Sequence, residues 1–289
     1  MNIRIFLCLF LIPILLVTAC KKTETVYYHE TAKTLLIISD NDPGSDIIIG
    51  ILGAVRAAYP DVQIQYFKAK AFDVFEGSYL LSVAMMNYPK GTYVAGIVEP
   101  GASSKRIIYQ ADNKFILAPD NMLSTRILNN YPSVQCYFIE NPQVLGGALP
   151  GDLSFEEFYK RAILSMLSGT PVSGFGPDCA NPQKFEVQDP EILGDTIKGE
   201  VLFTDNFGNC STNIPADLMT NTPIGTVLKL TCDTTLLVIT MGESYSSVPV
   251  GDNVCFINSS KRLELAVNYG NFSGKYAIGA TSKITLRKQ

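Results

Sequence analysis

Residues 205–214, DNFGNCSTNI, gather amide, carboxylate and aromatic groups between two strand-like runs, GEVLF and GTVLKLTC. Asp205-Asn206 and Gly208-Asn209 are turn formers, because Asn, Asp and Gly reach the left-handed region cheaply and bond their own backbone. The stretch by itself leaves two readings open, an ordinary turn and a loop that holds a ligand. A second polar stretch, DNDPGSD, spaces Asp40, Asp42 and Asp46 as Asp-x-Asp-x-x-x-Asp. For a calcium loop its Gly is misplaced and its twelfth position is Ile51 rather than an acid, so no metal site is expected there. No C-x-x-C suggests zinc. The one histidine, His29, sits in a polar stretch, where an imidazole is ordinarily just solvated.

The composition, 47% hydrophobic and 17% charged over 289 residues, is that of a globular chain long enough for one large domain or two moderate ones. A net charge of −4 with scattered Lys and Arg gives no indication of a nucleic-acid partner. The first residues read differently. MNIR is followed by the apolar run IFLCLFLIPILLV and then VTAC, the pattern of a secretory signal. It resembles a bacterial lipoprotein signal over 1–19, with Cys20 as the lipidated residue and 20–33 as a polar tether. That implies an exported protein, held to the membrane by acyl chains its body never enters. Lys21-Lys22 lacks the Asp that favours inner-membrane retention, so the outer membrane is the expected location. Five cysteines would then remain: Cys136, Cys179, Cys210, Cys232 and Cys255. The compartment permits disulfides, and the spacing does not select partners.

These groups need elements to position them. KTLLIISD is a continuous apolar run, followed by the helix-like IIIGILGAVRAAYP, the alternating VQIQYF, and a second helical stretch, FDVFEGSYLLSVAMMNYP. A strand (GTYVAGIVEPG), a hairpin (RIIYQADNKFILAPDN), another strand (SVQCYFIEN) and the amphipathic LSFEEFYKRAILSMLSG complete the pattern. Alternating strands and helices argue for an α/β domain with a mostly parallel sheet over 34–190. After a Pro- and Gly-rich stretch near 170–190, only short strands remain, punctuated by Gly and Asn. Residues 195–289 therefore read as a small all-β, barrel-like domain.

That order of blocks resembles the S-adenosylmethionine (SAM) hydroxide adenosyltransferases, relatives of the SAM-dependent fluorinases and chlorinases. The likeness runs from about residue 34 to 286. It is carried by IISD…SDIIIGILGAV, IVEPGASSKR with Glu99 for an Asp, APDNMLS with Met122 for a Gly, GEVLFTDNFGNCSTNI, and SYSSVPVGDNVCFINSSKRLELAVNYGN. The resemblance implies a homotrimer with SAM in the cleft between one subunit's α/β domain and its neighbour's β domain. It implies attack of water on the ribose C5′, releasing methionine and leaving adenosine. SAM is then substrate or ligand, and no cofactor is implied. By the same resemblance Phe207, Asn209 and Tyr245 hold adenine, Asp40 accepts hydrogen bonds from the ribose hydroxyls, and Ser259 and Glu264 contact the rest of the ligand. An aromatic face and a two-sided amide suit a purine.

The departures fall on the water-handling groups. The family uses an Asp, an Arg and a His. Counted back from Phe72-Asp73-Val74, the Asp position holds Ile64 and the Arg position Ala71; counted forward from Pro60, the Asp position holds Tyr66. The His position holds Ser154. The expected function is therefore a SAM hydroxide adenosyltransferase-like protein that binds SAM or adenosine at the interdomain cleft and, if active, hydrolyses SAM. The alternative is a non-catalytic nucleoside-binding or structural envelope lipoprotein.

Overall fold

The apolar run Thr34–Ser39 (β1) lies at the heart of a six-stranded sheet, because no residue from Leu35 to Ser39 can face water. It pairs in parallel with Gln63–Lys68 (β2) on one side and Tyr93–Ile97 (β3) on the other. Lys114–Pro119 (β5) continues the parallel set, Arg106–Ala111 (β4) runs against it, and Cys136–Phe138 (β6) closes the edge, in the order β2-β1-β3-β5-β4-β6. The computed structural model describes residues 32–98, 101 and 105–288. The signal, Cys20, most of the tether, His29 and Glu99 lie outside the described residues.

The period of two in β1 divides the core. Leu35 and Ile37 pack under the helices Asp46–Ala58 (α1) and Phe155–Leu167 (α4). Leu36 and Ile38 face Val74–Asn87 (α2) and Thr125–Asn130 (α3) on the opposite side. Burial on both faces is why β1 and β3 read as continuous hydrophobic runs rather than alternating ones. Side chains cap the helices: Ser45 starts α1, Asp73 accepts the Glu76 N–H at 2.9 Å to start α2, and Ser154 accepts the Glu157 N–H at 3.2 Å to start α4.

The second sheet is a closed barrel of seven strands: Lys283–Lys288 (β14), Val227–Cys232 (β10), Thr235–Met241 (β11), Asn253–Ile257 (β12), Arg262–Val267 (β13), Cys210–Pro215 (β9) and Thr196–Thr204 (β8). β14 pairs with β8 to close it, and Glu191–Leu193 (β7) is appended to the outside of β8. Leu263, Leu265 and Val267 fill the interior, while Arg262 and Glu264 alternate outward. A bulge between Val201 and Phe203 turns Phe203 out of the barrel, where it stacks on Tyr79 of α2 with ring centroids 5.1 Å apart. The Pro-rich stretch before β7 is strapped down from both sides. Asp120 accepts from the Gln183 N–H at 2.7 Å, Thr125 accepts from the Phe185 N–H at 3.2 Å, and Asn213 donates to the Gln188 carbonyl at 2.7 Å.

Four short elements carry no periodic signal and were not expected: α3, β7, β9 and the helix Phe272–Tyr276 (α5). β9 is the instructive one. Its outward residues Ser211 and Asn213 are polar because each is hydrogen-bonded inside the protein, so the strand lacks the alternation that would have marked it. All five described cysteines are buried free thiols. Burial raises each of them, Cys136, Cys232 and Cys255 to about 12, and Cys179 and Cys210 to about 11. They are therefore protonated and unreactive near neutrality.

Candidate ligand groove on the barrel

The loop between β8 and β9 is a turn built on one carboxylate. Asp205 Oδ1 accepts from the N–H of Phe207 at 2.9 Å and of Asn209 at 2.8 Å, and Oδ2 accepts from the Asn209 side-chain amide at 2.9 Å. This Asx turn needs Gly208 at φ +84°, where a Cβ would lie 2.0 Å from Asn271 Oδ1. The consequence is an exposed ring: Phe207 is 75% accessible although it is apolar, because its backbone is pinned while its side chain has nothing to pack on.

Phe207, Asn209 and Tyr245 line one open groove with a volume of about 820 Å³, together with Ser244, Asn268 and Tyr269. Tyr269 is 91% exposed and adopts φ +54°, so a second unpacked ring faces the same space. Tyr245 is fixed from behind. Its ring meets Phe256 edge-on at 4.7 Å, its hydroxyl donates to Glu264 Oε1 at 2.6 Å, and it accepts from the Asn209 amide at 3.5 Å. Burial and the adjoining Glu264 carboxylate both hold the Tyr245 phenol well above its ordinary range, so it stays a neutral donor. Glu264, 8% exposed, also accepts from Ser211 at 3.4 Å and from Asn258 at 3.0 Å. A buried carboxylate with three donors is a positioning device, not a free base.

The expected site residues thus fall into three places. Phe207, Asn209 and Tyr245 share the groove, and Glu264 supports it from within the barrel wall. Ser259 lies in the exposed turn between β12 and β13, one residue beyond Asn258, and is not among the groove's lining residues. Asp40 lies on the other sheet, at the carboxyl end of β1, where it accepts the Phe72 N–H at 3.2 Å. From β1 the chain crosses to β2 on one side and later to β3 on the other, so Asp40 stands at the switch point where α/β sheets open a crevice. Arg106 belongs to the same neighbourhood. Its guanidinium lies 5.1 Å from the Phe158 ring and 6.0 Å from Tyr159. Burial pushes the Tyr159 phenol up to about 12, with Arg106 acting against that shift and Asp40 adding to it. Tyr269 and Tyr159 had no sequence signal beyond their place in the chain, whereas Arg106 ends the block IVEPGASSKR.

A model of the SAM hydroxide adenosyltransferase N-terminal domain matches residues 37–176, and one of the C-terminal domain matches residues 199–285. The chain belongs to the SAM hydroxide adenosyltransferase family. A (R)-S-adenosyl-L-methionine hydrolase of Thermus thermophilus is 28% identical over 254 residues, covering 85% of this chain and 94% of that protein. A fluorinase of Nocardia brasiliensis is 23% identical over 294 residues, covering 88% and 96%. An uncharacterized conserved protein from Thermotoga maritima has the same fold, with a TM-score of 0.77 at 23% identity over 88% of this chain and all of that one.

In this member of the family the residues at the positions expected to handle water make other contacts. Ile64 packs against the core beneath β1, whereas Tyr66 reaches the first loop, donating to the carbonyls of Ser39, at 3.3 Å, and Asn41. Burial raises the Tyr66 phenol, and Asp40 and Asp42 raise it further, so it acts as a donor and not as a base. Ala71 is exposed beside Phe72, which itself has φ +60°. Ser154 is the N-cap of α4. In the acidic loop Asp42 pairs with Lys68.

Proposed function

We propose that this family member takes the adenosyl end of SAM into the barrel groove. One observation carries the reading: Phe207, Asn209 and Tyr245, separated by up to 38 positions in sequence, converge on one space with two ring faces and an amide. The rings supply stacking surface, and the amide reads a base edge. The groove is lined by barrel residues alone, which supports a site completed by a second copy. In that arrangement Asp40, on the α/β edge of a neighbour in a homotrimer, takes the ribose hydroxyls. Adenosyl transfer would form a bond from water oxygen to C5′, break the C5′–sulfonium bond, release methionine as a neutral thioether and pass a proton to solvent. The sulfonium is already a good leaving group, so positioning of water contributes most. Loss of a general base costs about 10²–10⁴ in rate, so turnover is expected to be slow.

A second reading, binding without turnover, is favoured by Ser154. At the His position the chain has a helix cap whose oxygen is already engaged. In either case MNIR, the apolar run and VTAC support export and lipidation at Cys20, with the outer membrane as the location.

The test is direct. The full chain, purified in detergent, is mixed with SAM at comparable concentration, and bound and free fractions are separated by ultrafiltration. Adenosine and methionine formed together, in excess of protein, establish transfer to water. SAM retained unchanged establishes binding alone. SAM passing wholly and unchanged into the filtrate would overturn the groove assignment.

A further inference from the structure

A second crevice, which shares no lining residue with the groove, lies where the α/β layer meets the outer wall of the barrel. It has a volume of about 460 Å³ and runs between α2, α3, the strap before β7 and the outward faces of β9 and β13. Its charge is lopsided. Arg126, Arg262 and Lys184 line it, against the single acid Asp189. Arg126 is the decisive group. It is only 9% exposed, and its Nε–H is buried without a hydrogen-bond partner among the described residues. Among the described residues its carboxylate contact is Glu200 at 3.5 Å, and Glu200 is held more closely by Lys283 at 2.6 Å. One buried negative charge is therefore divided between two cations. The Arg126 guanidinium also lies 5.4 Å from the Phe185 ring, a contact that supplies no acceptor.

The second guanidinium is close by. Burial is the main reason Arg126 is held below the usual arginine range, and the Arg262 charge lowers it further. Tyr79 brings its phenol into the same space; burial raises it, with Ser211 and both arginines acting against that shift and Glu264 adding to it. Arg262 donates to the Asn213 carbonyl at 3.1 Å, whereas the Arg126 Nε–H is costly as it stands, because a buried charged donor without a partner loses its hydration with no return. An oxyanion would reverse that sign, accepting from both guanidinium groups and the phenol. Leu128 and Leu202 give the crevice an apolar wall, suited to a short organic body behind the anionic group.

We propose that this crevice is a binding site for a small organic anion, a carboxylate or a phosphate, held by Arg126, Arg262, Lys184 and the Tyr79 hydroxyl. The site is separate from the nucleoside groove, and the proposal does not depend on what that groove binds.

The experiment is calorimetric titration of the full chain at low ionic strength with inorganic phosphate and, separately, with succinate. Saturable one-to-one binding of either probe is expected, and the tighter of the two names the class. Arg262→Gln and Lys184→Gln are each expected to weaken that binding about tenfold, as loss of a charge-assisted hydrogen bond does. Both leave buried Arg126 and Glu200 in place, and an unchanged unfolding midpoint shows that the fold is kept. Absence of saturable binding for both probes, or wild-type affinity in both variants, would overturn the proposal.

Discussion

Phe207 shows how a single residue can be costly to place and cheap to keep. Its ring is exposed because Asp205 fixes the backbone on either side of it, not because the ring itself contributes to folding. Phe207→Ala should therefore leave stability within about 0.5 kcal/mol of the parent. The same change should weaken nucleoside or SAM binding by about 1–3 kcal/mol, the range of a base–aromatic stack. Equilibrium dialysis with adenosine, alongside urea unfolding of the same variant, separates the two effects. Equal affinity of parent and variant would remove the ring from the site. At the residue scale Phe207, Asn209 and Tyr245 were each nameable from their blocks, and the fold brings them to one groove. Tyr269 was not nameable, because its exposure depends on a left-handed turn that Tyr rarely adopts.

At the scale of elements, Ser154 and Gly208 exchange one kind of importance for another. Ser154 stands where a catalytic group was expected and instead starts α4, so its contribution is to the helix. Ser154→Ala should lower stability by about 1 kcal/mol, the usual cost of losing an N-cap, and Ser154→Asp should restore most of it. Gly208→Ala should cost more, about 1–3 kcal/mol, because the left-handed backbone and the clash with Asn271 add together. Thermal unfolding of the three variants checks the order. If Ser154→Ala unfolds with the parent while losing SAM-dependent activity, the cap is incidental and Ser154 acts on the ligand. The strands and helices themselves were legible wherever an apolar period ran for a full element. β9 was hidden because its polar residues find their partners inside the protein, on β8, β13 and the strap.

For the whole molecule, the joint between the two sheets rests on few groups: the Tyr79–Phe203 stack, the strap around Phe185, and the buried contact of Arg126 with Glu200. Glu200 is 2% exposed and meets cations from both layers, Arg126 of α3 and Lys283 of β14. Removing it strands Arg126 in the interior, so Glu200→Ala should destabilise the chain by about 3–5 kcal/mol. Replacing both residues with apolar ones, Arg126→Met with Glu200→Leu, should recover much of that loss. Urea denaturation of the single and double variants provides the comparison, and a single variant as stable as the parent would show that the joint lies elsewhere.

The sequence by itself determined the layers and the family. Hydrophobic period is a local property, and the five ordered blocks survive in one dimension. It determined which residue types stand at each expected position, including the absence of a carboxylate at Ile64 or Tyr66 and of an imidazole at Ser154. What tertiary structure alone decided was company. Asn209 meets Tyr245, and Tyr245 meets Glu264, only because the strands of the barrel close on one another. Tyr66 rather than Ile64 reaches the first loop because the β1–β2 register sets it opposite Ile37. Arg126 and Arg262, 136 positions apart, face one crevice only because a helix of one layer lies against a strand of the other. Charge pairing and burial depend on distances that no spacing along the chain contains.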